Sequence, residues 1–245
     1  MAIAGKGCFV AWYDLRPGGE TEHDHWHTDE HMIERVAIPG FRRGLRYRSL
    51  TEGPRVCVIY QVEALETLAS PAYLERLNTP TPWTTRSMPL IAGMNRTLCR
   101  VASSYGNGIG GYLLSIQLAP RPGSEDDLKR WLGDEALPDL AARAGLCGAH
   151  LLIGDSEVSQ IKTQEKGLRG GSDAIADWIV LVEGYDRAAT EHALPELRGA
   201  AGLVAHGAAD RLIAGLYSLD FAIEEGEAKA IWRDPAARGQ PAKSA

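Results

Sequence analysis

One helical segment occurs twice in this chain. Trp26-His27-Thr28-Asp29-Glu30-His31 and Trp131-Leu132-Gly133-Asp134-Glu135-Ala136 share Trp, Asp and Glu at an offset of 105 residues, and Gly40 matches Gly145 at the same offset. A single W-x-x-D-E can arise by chance. A common offset that also reaches the glycine stopping each helix points to an internal duplication, so whatever one half folds into, the other should repeat.

The order of elements gives the unit. Gly7 to Leu15 reads as a strand ended by Arg16-Pro17-Gly18-Gly19. Glu22 to Val36 contains no glycine or proline and reads as a helix that Pro39-Gly40 stops. Strands follow at Phe41 to Leu50 and, after the Glu52-Gly53-Pro54 turn, at Arg55 to Val62, which is apolar on both faces and therefore central. Ala64 to Leu77 is a helix that Pro71 breaks or kinks; after Thr79-Pro80-Thr81-Pro82 come a short segment around Trp83 to Met94 and a fourth strand, Thr97 to Ser104. This is the split βαβ, or ferredoxin-like, order βαββαβ. The second copy repeats it, with strands at Tyr112 to Leu118, Leu146 to Gly154, Trp178 to Gly184 and Arg211 to Phe221, and helices at Glu125 to Ala144 and Ala188 to Ala201.

The expected class is α+β, with two tandem ferredoxin-like units, residues 1–104 and 111–223, forming one α/β barrel within the chain. Residues 105–110 are a glycine-rich linker and 224–245 a polar tail that adds little to the fold. Gly106, Gly108 and Gly111 fit G-x-G-x-x-G, but a strand follows where a dinucleotide site needs a helix. Asp155 to Asp177 is a long surface insertion, mobile or lid-like in character.

The net charge of -6 gives no positive field for nucleic acid or an anionic membrane. No segment approaches the length of a membrane span, and the first residues lack a leader pattern, so a cytoplasmic location is expected. Cys8, Cys57, Cys99 and Cys147 are scattered in apolar strands and read as buried small residues.

The first copy carries four of the chain's seven histidines. His23, His27 and His31 are four apart and share a helix face beside Glu30 and Glu34, while Trp26, Ile33, Val36 and Ala37 form a second, buried stripe. In the second copy Leu132 and Ala136 replace His27 and His31, so chemistry belongs to the first. On Phe41 to Leu50, Arg42, Gly44, Arg46 and Arg48 share one face, which either holds an anionic ligand or is solvated; Arg43 shares the other with Phe41, Leu45 and Tyr47.

At this point W-H-x-x-E-H (Trp26 to His31) followed by I-P-G-F-R-R (Ile38 to Arg43) resembles the EthD-like branch of the dimeric α/β-barrel superfamily. That superfamily spans cofactor-free cyclases, muconolactone-type isomerases, monooxygenases and haem enzymes. Within this frame His27 and His31 are the candidate acid/base groups and Glu30 their candidate orienter, with the alternative that Asp29 and Glu30 serve helix solubility. His23 and His25, nearer the helix start, read as surface or core positions. Tyr13, Arg43, Arg46, Tyr47 and Trp83 are candidate substrate contacts. The expected protein is a cofactor-independent isomerase, cyclase or lyase that takes a small, partly apolar acid or aromatic into the barrel cavity. No metal ligand set and no cofactor are assigned, and self-association into a homodimer is optional, since one chain supplies both halves. The alternatives are a binding or stress-response module of the same fold and a haem or metal enzyme.

Overall fold

Strand β1 (Gly7–Leu15) sets the geometry by simple alternation: Cys8, Val10 and Trp12 point to one face, Phe9, Ala11 and Tyr13 to the other. In this computed structural model, which describes residues 3–170 and 173–233, the first half continues with β2 (Phe41–Ser49), β3 (Val56–Val62) and β4 (Ile91–Gly106). The second half supplies β5 (Tyr112–Leu118), β6 (Leu146–Gly154), β7 (Trp178–Gly184) and β8 (Ile213–Glu224). The eight close into one antiparallel barrel in the order β1-β3-β2-β8-β5-β7-β6-β4.

Closure depends on β4 and β8, which are longer than their neighbours. β4 pairs with β1 over its first part and with β6 from Cys99 onward. β8 does the same with β5 and β2. Each half thus lends a strand end to the other, and two ferredoxin-like units make one barrel.

The helices lie outside. Helix α1 runs from Glu20 to Val36, its α-helical ends Glu20–Trp26 and Met32–Val36 flanking a π-helical turn at His27–His31. Helices α2 (Pro71–Asn78) and α3 (Pro82–Ser87) complete the first half. In the second, α4 repeats α1 with ends Glu125–Trp131 and Leu137–Ala142 around a π-helical turn at Leu132–Ala136. Then come α5 (Ser156–Ser159), α6 (Gln164–Arg169) and α7 (Arg187–Arg198), and α8 (Glu225–Arg233) follows β8. Gly40 and Gly145 hold φ of +90° and +88° at the turn into β2 and β6, a conformation that costs an L side chain about 1–2 kcal/mol.

Several expectations are corrected here. The barrel interior is no ligand cavity: Trp12, Leu45, Ile59, Leu113, Leu181 and Tyr217 fill it with others from both halves. The fourth strand begins at Ile91, because a 3-10 turn at Met88–Leu90 leads directly into it, and it runs through Gly106, so the first two residues of the expected linker are strand. Pro71 starts helix α2 instead of breaking one, after a separate 3-10 turn at Leu65–Ala69. Pro195, expected to interrupt the Ala188 to Ala201 helix, lies inside α7 without ending it. The insertion between β6 and β7 folds into α5 and α6 and buries Ser159 and Glu165. Part of the expected tail is α8, which packs on α1 with Ala228 fully buried and Trp232 under the Arg76 guanidinium; residues 234–245 lie outside the described residues.

Candidate functional site

The π-helical turn decides where the histidines point. In an α-helix, residues five apart face nearly opposite sides, whereas a π turn winds i onto i+5. Trp26 and His31, five apart across the turn, accordingly meet with ring centroids 4.4 Å apart. The apolar stripe and the imidazole face therefore merge. His27 stacks on His23 at 5.0 Å and lies 5.4 Å from His31, giving a column of three imidazoles, all buried.

That column faces the outer side of β1 and β3, and its His27 and His31 line a cavity of about 50 Å³. Phe9, Ala11 and Tyr13 from β1 and Val58 and Tyr60 from β3 form its floor; Tyr73, Leu77, Met88 and Met94 form its sides. The roof comes from the other half of the chain: Thr163, Glu165 and Arg169 of the insertion close it. Arg35 of α1 bonds Glu165 and lies 3.1 Å from Glu34, three side chains almost wholly out of water. A cavity this size is well below the usual range for ligand sites, about 300–1,000 Å³, so a substrate enters only if the roof moves.

One hydrogen-bonded chain stands out. Tyr13 Oη lies 2.9 Å from His23 Nε2, His23 Nδ1 lies 2.9 Å from Asp24 Oδ1, and Arg48 bonds the same carboxylate. Burial works against the Asp24 charge, but the bonds from His23 and Arg48 prevail and hold its pKa at about 2. An ionised Asp24 requires a proton on His23 Nδ1, which leaves Nε2 as the acceptor of the Tyr13 hydroxyl. Burial pushes the Tyr13 phenol up, so it stays protonated, and Tyr13 lines the cavity.

The other two imidazoles have no carboxylate beside them. Burial, then the neighbouring His23, His31 and Arg46, hold His27 well below its usual pKa; burial, then Arg35 and His23, do the same for His31. His23 is lowered too, by burial, but Asp24 pulls it back. His27 Nδ1 faces Arg46 at 3.4 Å, and buried His31 Nδ1 has no partner among the described residues.

The structure brings some of the expected residues together and disperses others. His27, His31 and Tyr13 line the cavity, and Arg46 reaches it through His27. Glu30 turns away from the imidazoles, accepting bonds from Thr81 Oγ1 at 2.5 Å and Thr84 Oγ1 at 3.4 Å. Trp83 donates to Glu22 on the far side of the helix start. Tyr47 sits inside the barrel wall, and Arg43 pairs with Glu224. His25 is exposed, whereas His23, which the sequence reading set aside, is the hub of the chain. Sequence reasoning missed Arg35, Glu165 and Arg169. Asn95-Arg96, which the sequence offered either as facing the cavity mouth or as ending a helix, belongs to β4, and Arg96 lines the cavity.

The second half shows what the equivalent region looks like with apolar residues in place of the polar cluster. At the offset of 105, Tyr13, His23, His27 and His31 become Leu118, Leu128, Leu132 and Ala136, and the leucines are fully or nearly buried. Each such leucine contributes roughly 1.5–3 kcal/mol by burial. The first half forgoes that gain for a polar cluster, which stability alone does not explain.

No family model matches the chain, and no curated protein matches it in sequence. Solved structures match in fold. They include an anthrone oxidase-like protein (13% identity, 91% of this chain and 94% of the other, TM-score 0.60). A proposed monooxygenase of Fusobacterium nucleatum subsp. nucleatum follows (7% identity, 91% and 95%, TM-score 0.59), as does a proposed chlorite dismutase (14% identity, 93% and 99%, TM-score 0.53). The fold is that of the dimeric α/β-barrel proteins, here completed by two ferredoxin-like units in one chain.

The residues present do not fit the haem of the alternative reading. The three imidazoles pack on each other and on Trp26, beside about 50 Å³ of space. Among the described residues no group of three or more His, Cys, Asp or Glu side chains converges as a metal site would need. No described helix is long and apolar enough to cross a membrane.

Proposed function

We propose that this protein is a small-molecule enzyme of cofactor-independent type, an isomerase, cyclase or lyase. It would remove a proton from a largely apolar substrate bound between α1 and the outer face of the barrel. The observation that carries the reading is the Tyr13–His23–Asp24 chain, with 2.9 Å at both links and Tyr13 open to the cavity.

The chemistry follows from the proton positions. A weakly acidic C–H or O–H of the substrate gives its proton to Tyr13 Oη as the Tyr13 proton passes to His23 Nε2, and the imidazolium is held by Asp24. His23 does not touch the cavity and acts through Tyr13 as a positioning and relay residue. His27 and His31, neutral at pH 7, remain proposed catalytic contacts that hold the substrate oxygen by hydrogen bonds, and the proton returns to the substrate from Tyr13 Oη as His23 gives its own back to Tyr13. The apolar surroundings favour an aromatic or enolisable substrate, in keeping with the anthrone oxidase-like neighbour.

Proton exchange tests this without knowing the natural substrate. In D2O, NMR of small apolar ketones with acidic α-hydrogens should show exchange accelerated by the protein, and the acceleration should vanish in Tyr13→Phe. Tight binding of such ketones with no acceleration would mean a binding module.

A further inference from the structure

Four arginines on or beside β2 were the sequence's candidates for holding an anion, and all are already partnered. Arg42 pairs with Glu225, Arg43 with Glu224, Arg46 with Asp220, and Arg48 with Asp24 and Asp220. The cavity itself presents a different set. Arg35, Arg96 and Arg169 line it, against one lining carboxylate, Glu165, which bonds Arg35.

Arg96 is the unusual member. Its side chain is buried, yet among the described residues no ion pair includes it. One NH group donates to the Ser159 carbonyl at 3.0 Å, and the guanidinium lies 5.5 Å over the Phe9 ring. A buried cation without a counter-charge is costly, since burial strips its hydration and a neutral carbonyl returns only part of it. Arg169 faces the same space. It pairs with Asp173 at 2.8 Å, but its buried Nε has no partner among the described residues. Burial, and the repulsion of Arg96 beyond it, lower the Arg169 pKa in spite of Asp173, so the two guanidiniums are close enough to repel.

We infer that Arg96 and Arg169 form a carboxylate-binding subsite, and that the substrate is a small aromatic or enolisable acid whose carboxylate they hold while its other acidic group faces Tyr13. This deepens the proton-transfer reading above and rests on it for the identity of the second group. A carboxylate supplies the missing counter-charge for Arg96, accepts the free Arg169 Nε–H and removes the repulsion between the two. Geometry agrees. Arg96 is paired with Ala11 on the adjacent strand, on the face of β1 that also carries Phe9 and Tyr13, so anchor and relay open on one cavity.

The test uses a matched pair of chromophores, 5-hydroxy-2-nitrobenzoate and 4-nitrophenol, which differ by one carboxylate and change colour on ionisation. Each is titrated into the full chain at about pH 6.5, where the carboxylate is charged. The acid should bind roughly 10- to 100-fold more tightly, and added salt should weaken it more than 4-nitrophenol. Arg96→Gln and Arg169→Gln should each erase most of that advantage and leave 4-nitrophenol binding unchanged. Equal affinity for the two compounds in the wild-type protein, including no binding of either, would overturn the inference, and this comparison needs no variant to fold. The two proposals separate in the same experiment. Tyr13→Phe should alter the colour of the bound phenol and keep the carboxylate preference, whereas the arginine variants should lose the preference and keep the colour.

Discussion

Tyr13 Oη and His23 Nε2 are 2.9 Å apart, and the ionised Asp24 on the other side of the imidazole fixes which atom of this pair carries the proton. A phenol in an apolar wall is ordinarily an inert donor. Here its hydrogen is committed to His23, so the face it turns to the cavity is an acceptor with an outlet for a second proton. Everything else in the site either shapes the space or sets its charge.

The second half supplies ready-made controls. His27→Leu and His31→Ala install the residues found at Leu132 and Ala136, in a setting that already tolerates them. Each should lower proton exchange by about 10²- to 10⁴-fold if it contacts the reacting group, and leave the melting temperature unchanged or raised. Glu135→Ala, at the counterpart of Glu30, should leave exchange unchanged.

Stability should fall with acid in a defined window. His23, His27 and His31 have folded-state pKa values below 6.5, so the unfolded chain binds more protons than the native one as pH drops beneath that value. The contribution is fully present above about pH 6.5 and is lost progressively below it. Chemical denaturation at stepped pH should show the loss, and the His27→Leu/His31→Ala variant should show a shallower one. An identical slope in that variant would assign the acid sensitivity to other groups.

The roof over the cavity depends on a buried ion pair. Glu165→Ala leaves Arg35 with Glu34 alone, at 3.1 Å, and should cost about 3 kcal/mol, the lower end of the range for breaking a buried pair. Because Glu165 belongs to the roof, small phenols should also enter faster, which stopped-flow absorbance would record. Slower entry would mean that the roof is not the gate.

How far the sequence carried this picture depends on how local each cause is. β1, β5, β6 and β7 match their expected limits, because short, predominantly apolar runs with glycine or proline at or near their ends need no distant information. The barrel followed from the repeated element order. The π turn was invisible, since no residue type marks i→i+5 bonding, and with it went the meeting of Trp26 with His31. His23 looked peripheral near its helix start because the partner that gives it meaning, Tyr13, lies on another element. Arg35 and Glu165 are 130 residues apart, and only the closed barrel brings the insertion of one half over the site of the other. We propose that the halves descend from one unit, with Trp26 and Trp131 each ending an α-helical stretch just before a π turn.

The central claim is that a proton leaves the substrate through Tyr13 to His23. The apparent pKa of bound 4-nitrophenol, read from its absorbance across pH in the wild-type protein and in His23→Leu, tests it most directly. The predicted result is a bound phenol that ionises at lower pH than the free compound, with His23→Leu abolishing that shift while the ligand still binds. An unshifted pKa in the wild type, or the same shift in both proteins, would contradict the relay.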